Sequence, residues 1–241
     1  YDLIVSGLAG SDTINHIYND PIILNTDFLR QPTEDNPLQH FHSALSKSGR
    51  SDFNINFTTN SQGMMTSVFA GQLPETYIAC KEIIQRVSLV NIGEVFDIVL
   101  TSNGGAPYDL TLFDAIQGIL LASRLVKNNG SIICVADCED GLSPFRNSSR
   151  PYYNDTVTGT LAPSHNDMSE NAWRATILAE VISKCTVYLK SDNLSTKVIK
   201  DSGLQPVGRS VERLISEIQV QKGKPPSICV LPQGPHTMIS R

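Results

Sequence analysis

From residue 96 onward, short apolar runs alternate with helical segments, and this alternation narrows the fold more than any other feature of the chain. The runs Phe96–Leu100, Ser131–Ala136, Thr186–Leu189 and Ser227–Leu231 carry almost no polar residue at their centres. Strands of that kind lie in a parallel sheet covered on both faces, because a strand with one face in water would alternate instead. Between them the pattern predicts helices over Leu110–Val126, Glu170–Ser183, Leu194–Ser202 and Val211–Val220. The expected fold class is therefore α/β, with a mostly parallel, Rossmann-like sheet and helices on both faces.

Residues 1–90 read differently. Leu3–Val5 is strand-like, a short helix is expected to about Tyr18, 19–35 form a loop, and Asn36-Pro37 opens a helix to Ser48. Phe53–Thr58 alternates apolar and polar side chains, as a half-buried strand does. Asn60-Ser61-Gln62-Gly63 then reads as a turn, Met64–Ala70 as the return strand of a hairpin, and Pro74 as the start of a helix to about Arg86. Two lobes follow, residues 1–90 and residues 91–228. Residues 141–168 are rich in Ser, Pro, Asn and Tyr and are expected to form a long loop. The chain opens at Tyr1 directly into an apolar run, which suggests a sequence that begins inside a fold.

The net charge of −5 argues against a nucleic-acid partner, which favours a basic face. No apolar run approaches the ~18 residues of a membrane span. The five cysteines are odd in number, and Cys134 and Cys138 are not spaced as a CxxC pair. They read as small buried hydrophobes in a reducing, cytoplasmic setting. The triplets beginning at Asn56, Asn147, Asn154 and Asn193 fit the glycosylation pattern but arise readily by chance.

Gly104-Gly105, between a strand and a helix, stands where open α/β sheets bind ligands. It is not a GxGxxG turn, and two glycines are also what a tight turn alone requires. Asp114 and Gln117 share one face of an otherwise apolar helix. They form either a solvated stripe or a pair aimed into a cleft. His16, His40, His42, His165 and His236 show no metal-ligand spacing, and His40 and His42 face different sides of a helix.

Several segments, in order, resemble the nickel-dependent lactate racemase family. Ser6-Gly7-Leu8-Ala9-Gly10 with Thr13-Ile14 is similar to that family's Pro-Gly turn and helix. Asn36-Pro37 with Asp52–Asn56, then Val68-Phe69-Ala70-Gly71, are similar to its helix and hairpin. Thr101–Gly105 with Asp109 and Ala115 resembles its Gly-Gly turn and substrate helix. Gly130–Ile133 with Ala136 to Leu142, and Val230–Gly234, resemble its "GGTI…AECREGL" and closing "PxGG" stretches. The resemblance implies the latter part of a first, cofactor-side domain, a complete C-terminal domain, and a tail, 229–241, that returns to the first lobe.

It also implies a racemase or epimerase of 2-hydroxy acids that uses a nickel-pincer nucleotide, with acid/base histidines upstream of Tyr1. Asp2 stands where the family's tethering lysine stands, and Tyr18 where a nickel-ligating histidine is expected, with His16 the nearest candidate ligand. Both substitutions imply that this chain lacks the cofactor. The substrate side falls on Gly104, Gly105, Phe113, Asp114 and Gln117. Here the family's Gln and Lys have become Asp114 and Gln117, which implies a small 2-hydroxy-acid-like ligand other than lactate. The alternative is a catalytically inactive binding or regulatory module.

Overall fold

The structure is a computed structural model, and it describes residues 53–60, 62–72, 75–142 and 172–240. The elements expected before residue 53, and all of the 141–168 loop beyond residue 142, lie outside these residues.

The first described unit is a hairpin of β1 (Asn54–Thr59) and β2 (Met65–Gly71), antiparallel, followed by α1 (Glu75–Ser88). Its turn closes locally. The Asn60 side-chain oxygen accepts from the N–H of Gln62 and of Met64, and Gly63 takes a φ of 75°. The expected strand alternation is present, but which side is buried differs from the usual arrangement. α1 covers the polar side: Thr58 is buried, and Asn56 donates from Nδ2 to Thr76 Oγ1 at 3.0 Å. Ile55, Phe57 and Val68, on the opposite side, are each more than half exposed. The Asn56–Thr76 bond explains how a helix can sit on polar residues without leaving them unsatisfied.

The second unit is a five-stranded, all-parallel sheet. It comprises β4 (Phe96–Ser102), β5 (Val126–Val135), β6 (Thr186–Lys190), β7 (Gln205–Pro206) and β8 (Ile228–Leu231), in the spatial order β7-β6-β5-β4-β8. The α/β class read from the sequence is therefore the class observed. Successive strands step away from β4 in one direction, and β8 then returns to β4's other edge. That reversal is a topological switch point, where loops leaving adjacent strands part and open a crevice.

Two cores flank the sheet. Val99, Ile132, Cys134, Val187 and Leu189 face α2 (Leu112–Ser123) and α3 (Ala172–Lys184). α4 (Thr196–Asp201) adds Ile199 to the same side. Ile98 and Ile133 face Leu214 and Ile218 of α5 (Val211–Lys222). Neighbours along β4, β5 and β6 thus serve opposite cores, which is why those strand sequences are so apolar.

α2 is shorter than the sequence pattern suggests. It ends at Ser123, and β5 begins at Val126 rather than Ser131. Leu125 drops into the core and Val126 pairs with Phe96, so the chain gains burial and strand pairing by leaving the helix early. Asn129, at a φ of 59°, and Gly130 lie inside that strand and do not end the helix. Beyond β8, a 3-10 turn (Gly234–His236) leads to β9 (Met238–Ser240), which pairs in parallel with β3 (Leu89–Asn91).

The five cysteines are all free, and four of them are buried. Burial pushes the Cys138 thiol up to about 12, and nearby Asp109, Asp137 and Asp114 add to this against a hydrogen bond from Ser191. Cys134 is raised further still, by burial first. Since the thiolate is the nucleophile, Ellman's reagent at mildly alkaline pH should titrate all five only after denaturation. In the native protein only the partly exposed Cys229 should react, and slowly, because burial raises its pKa as well. Rapid native labelling of Cys134 or Cys138 would contradict this placement.

Candidate functional site at the switch point

Two turns meet beyond the carboxyl ends of β4 and β8. The first, after β4, runs through Asn103, Gly104 and Gly105 to Tyr108. Gly104 and Gly105 have φ of 91° and 90°, a backbone that side-chain-bearing residues rarely adopt. The second is the Pro232–His236 segment after β8. Ser102 Oγ donates to Pro232 O at 2.6 Å, and the rings of Tyr108 and His236 meet edge to face with centroids 4.7 Å apart.

Asn103 holds the first turn against α2. It is 1% exposed, and its Nδ2 donates to Tyr108 O at 2.8 Å and to Asp114 O at 2.7 Å. Its Oδ1 lies against Gly118, only 2.3 Å from where a Cβ there would be. A Cβ on Gly234 would sit 2.9 Å from Thr101 Oγ1 and 3.0 Å from Gly118 Cα. Two glycines thus let α2, the end of β4 and the closing turn approach to backbone contact. Thr101 Oγ1, Asn103 Oδ1 and Asp109 Oδ1 are buried with no hydrogen-bond partner.

The start of α2 decides what this crevice can hold. Thr111 caps the helix in a capping box. Its Oγ1 accepts from Asp114 N, while Asp114 Oδ2 accepts from Thr111 N at 3.2 Å and from Thr111 Oγ1 at 2.6 Å. The N–H groups of Leu112 and Phe113 donate to the carbonyls of Gly141 and Leu142. The first three amides of the helix are therefore all occupied, and none remains to cradle a phosphate in the manner of a dinucleotide fold.

The residues read from the sequence fall in different places. Gly104 and Gly105 line the turn. Asp114 is half-buried, with Oδ2 turned back on the N-cap. Gln117 is exposed, one residue before the Gly118 contact, and Phe113 belongs to the core. His16 lies outside the described residues, as do Asp2 and Tyr18. Sequence reasoning did not single out Asn103, Tyr108 or His236 as site residues. Nothing local marks them, because they meet only when β8 lies beside β4.

Residues 93–239 match the family model described as the lactate racemase C-terminal domain. The chain belongs to the lactate racemase family. It is 26% identical over 227 residues to the lactate racemase of Thermoanaerobacterium thermosaccharolyticum, covering 89% of this chain and 52% of that protein. It is 22% identical over 191 residues to the lactate racemase of Lactiplantibacillus plantarum, covering 76% of this chain and 43% of that one. Its fold is similar to the lactate racemase apoprotein structure from T. thermosaccharolyticum, with a TM-score of 0.77 at 21% identity over 93% of this chain and 55% of that one. A structural-genomics protein from Thermotoga maritima is also similar in fold, at a TM-score of 0.61 and 14% identity, covering 91% of this chain and 59% of that one. The chain thus spans about half the length of the lactate racemases it matches.

Among the described residues of this family member, no three His, Cys, Asp or Glu side chains come together to hold a metal ion. Among the same described residues, no helix is long and apolar enough to cross a membrane.

Proposed function

We propose that this chain provides the substrate-facing side of a racemase or epimerase of 2-hydroxy acids, acting on an acid other than lactate. The observation that carries the reading is the convergence of the Gly104–Tyr108 and Pro232–His236 turns at the switch point, where parallel α/β sheets hold small ligands. Inversion at the carbon that bears the hydroxyl requires the acid to be held while its hydrogen leaves one face and returns to the other. The family's nickel-pincer nucleotide would supply the acceptor for that hydrogen; this chain's own contribution is the grip.

Gln117 supports the shift away from lactate. It is exposed on α2 and offers an amide where the resemblance expects a lysine. Losing a charged hydrogen bond to a carboxylate weakens binding by roughly 1.5–3 kcal/mol. A substrate with more to hold than lactate's methyl group would compensate. The same neutral Gln117, with Asp114 Oδ2 spent on the helix cap, favours a second reading, a module of this fold that binds without catalysis.

Chirally resolved chromatography on a panel of 2-hydroxy acids separates these readings. The chain is produced alone and together with cofactor-making enzymes, and nickel is measured in each preparation. Stereoinversion of an acid other than lactate supports the first reading. Inversion of lactate in preference to every other acid refutes the substrate shift. Saturable binding with no inversion and no nickel, in either preparation, establishes the binding module instead.

A further inference from the structure

Two backbone donors in the turn after β4 are left unused by the rest of the chain. Among the described residues, the N–H groups of Gly105 and Ala106 donate to no acceptor in the chain. The His236 imidazole is exposed, and its ring is set by the edge-to-face contact with Tyr108, itself 50% exposed. Asp114 Oδ2 closes the helix cap, and Asp109 is 5% exposed with Oδ2 accepting from Asp137 N at 3.2 Å.

The position of His236 is fixed from several sides. The 3-10 turn that carries it is pressed onto α2 through Gly234 and Gly118 and tied to β4 through Ser102 and Pro232. The Thr237 hydroxyl closes the turn on Gln233 O at 3.0 Å. Tyr108 is held in turn by the Asn103 bond to its carbonyl. Two exposed rings on separate loops, each anchored by buried contacts, are costly to arrange unless they meet a ligand, because exposed side chains otherwise keep their rotamer freedom.

We propose that Tyr108 and His236, with the N–H groups of Gly105 and Ala106, form the site that recognises the carboxylate of the substrate. His236 then supplies a ring N–H donor to a ligand that Gln117 can meet only with a neutral amide. This inference rests on the 2-hydroxy-acid reading and names the residues that serve it. A carboxylate held against backbone N–H groups and an imidazole is an ordinary anion arrangement, and charge-assisted bonds of this kind are the stronger ones.

Histidine-detected NMR of the whole 241-residue chain provides the test. The probes are glycolate, the smallest 2-hydroxy acid, and 1,2-propanediol, which keeps a hydroxyl and lacks the carboxylate. The spectrum of His236→Gln lacks one imidazole resonance, which assigns it. Glycolate should shift that resonance saturably, while 1,2-propanediol should leave it in place. His236→Ala should weaken glycolate binding about tenfold or more, and Tyr108→Ala should also weaken it. Both residues are exposed and lose only their mutual ring contact, so thermal melts of the two variants should fall slightly and by similar amounts, each staying folded at the assay temperature. If glycolate binds with unchanged affinity in His236→Ala and the resonance does not move, the proposed site is wrong while the 2-hydroxy-acid reading survives. If no 2-hydroxy acid binds the parent chain at all, both fall together.

Discussion

Replacing Gly118 with alanine should destabilise the protein by about 2 kcal/mol, although a glycine-to-alanine change inside a helix ordinarily stabilises by about 1 kcal/mol. The sign reverses because of Asn103. A Cβ at position 118 would stand 2.3 Å from Asn103 Oδ1, a separation real atoms do not tolerate. Asn103 cannot swing aside cheaply. It is buried, and moving it breaks its bonds to Tyr108 O and Asp114 O. Overpacking of this kind costs about 1–3 kcal/mol, and each buried carbonyl left without a donor adds about 1–3 kcal/mol more. The opposing gain in helix propensity is smaller than either.

Urea denaturation should show a lower midpoint for Gly118→Ala, with the melting temperature falling by roughly 4–8 °C. The coupling is testable as well. In an Asn103→Ala background the added methyl would meet only Thr101 Oγ1, at 3.4 Å, an ordinary contact distance, so Gly118→Ala should cost little there. An equal loss in both backgrounds would remove Asn103 from the explanation.

The second large effect lies at the opposite end of the sheet. Asp97, 7% exposed, accepts from Lys127 and Lys222 at 3.1 Å each, from Ser227 N at 3.0 Å and from Ser227 Oγ at 2.8 Å. These bonds join the starts of β4, β5 and β8 and the end of α5. The backbone bond from Ser227 foremost, then the Ser227 hydroxyl and the two lysines, hold the Asp97 carboxyl far below the usual carboxylate range, against its burial. Asp97→Asn should cost about 2 kcal/mol. The cost stays below that of a fully buried pair because Lys127 and Lys222 are 41% and 27% exposed.

The pH dependence follows from the direction of the shift. The folded state binds the Asp97 proton less readily than the unfolded state, so the stabilisation is fully present above the ordinary carboxylate pKa of about 3.9 and shrinks as pH falls below it. The stability gap between the parent and Asp97→Asn should therefore be constant near neutrality and narrow through the acid range. A gap that stayed constant down to pH ~2 would contradict the ionised, multiply bonded Asp97.

Much of the fold could be read from the sequence because its signals are local. The apolar runs at Phe96–Leu100, Thr186–Leu189 and Ser227–Leu231 became strands, as short, mostly apolar runs bounded by turn residues tend to do. α5 was legible from its ends: Ser210 accepts from Arg213 N, and Gly223 closes the helix at a φ of 65°. The hairpin was legible from Asn60 and Gly63. Its orientation was not, because the alternation of Phe53–Thr58 shows that the strand has two different faces without showing which one a helix will cover. The capping role of Asp114 was also present locally, as the pattern Thr111-x-x-Asp114.

The candidate site divides along the same line. The sequence by itself determined the parallel sheet and the glycine turn after its first strand, because each is built from short local signals, and the family resemblance, because it lies in the order of such segments along the chain. Only the tertiary structure decided that β8 returns to the free edge of β4, which sets Tyr108 against His236 across more than a hundred residues of intervening chain. Strand order is fixed by how several helices pack on two faces at once, and no single segment carries that information. For the same reason the need for glycine at 118 and 234 is invisible along the chain: it arises from atoms of Thr101, Ser102 and Asn103 that the fold brings within contact distance.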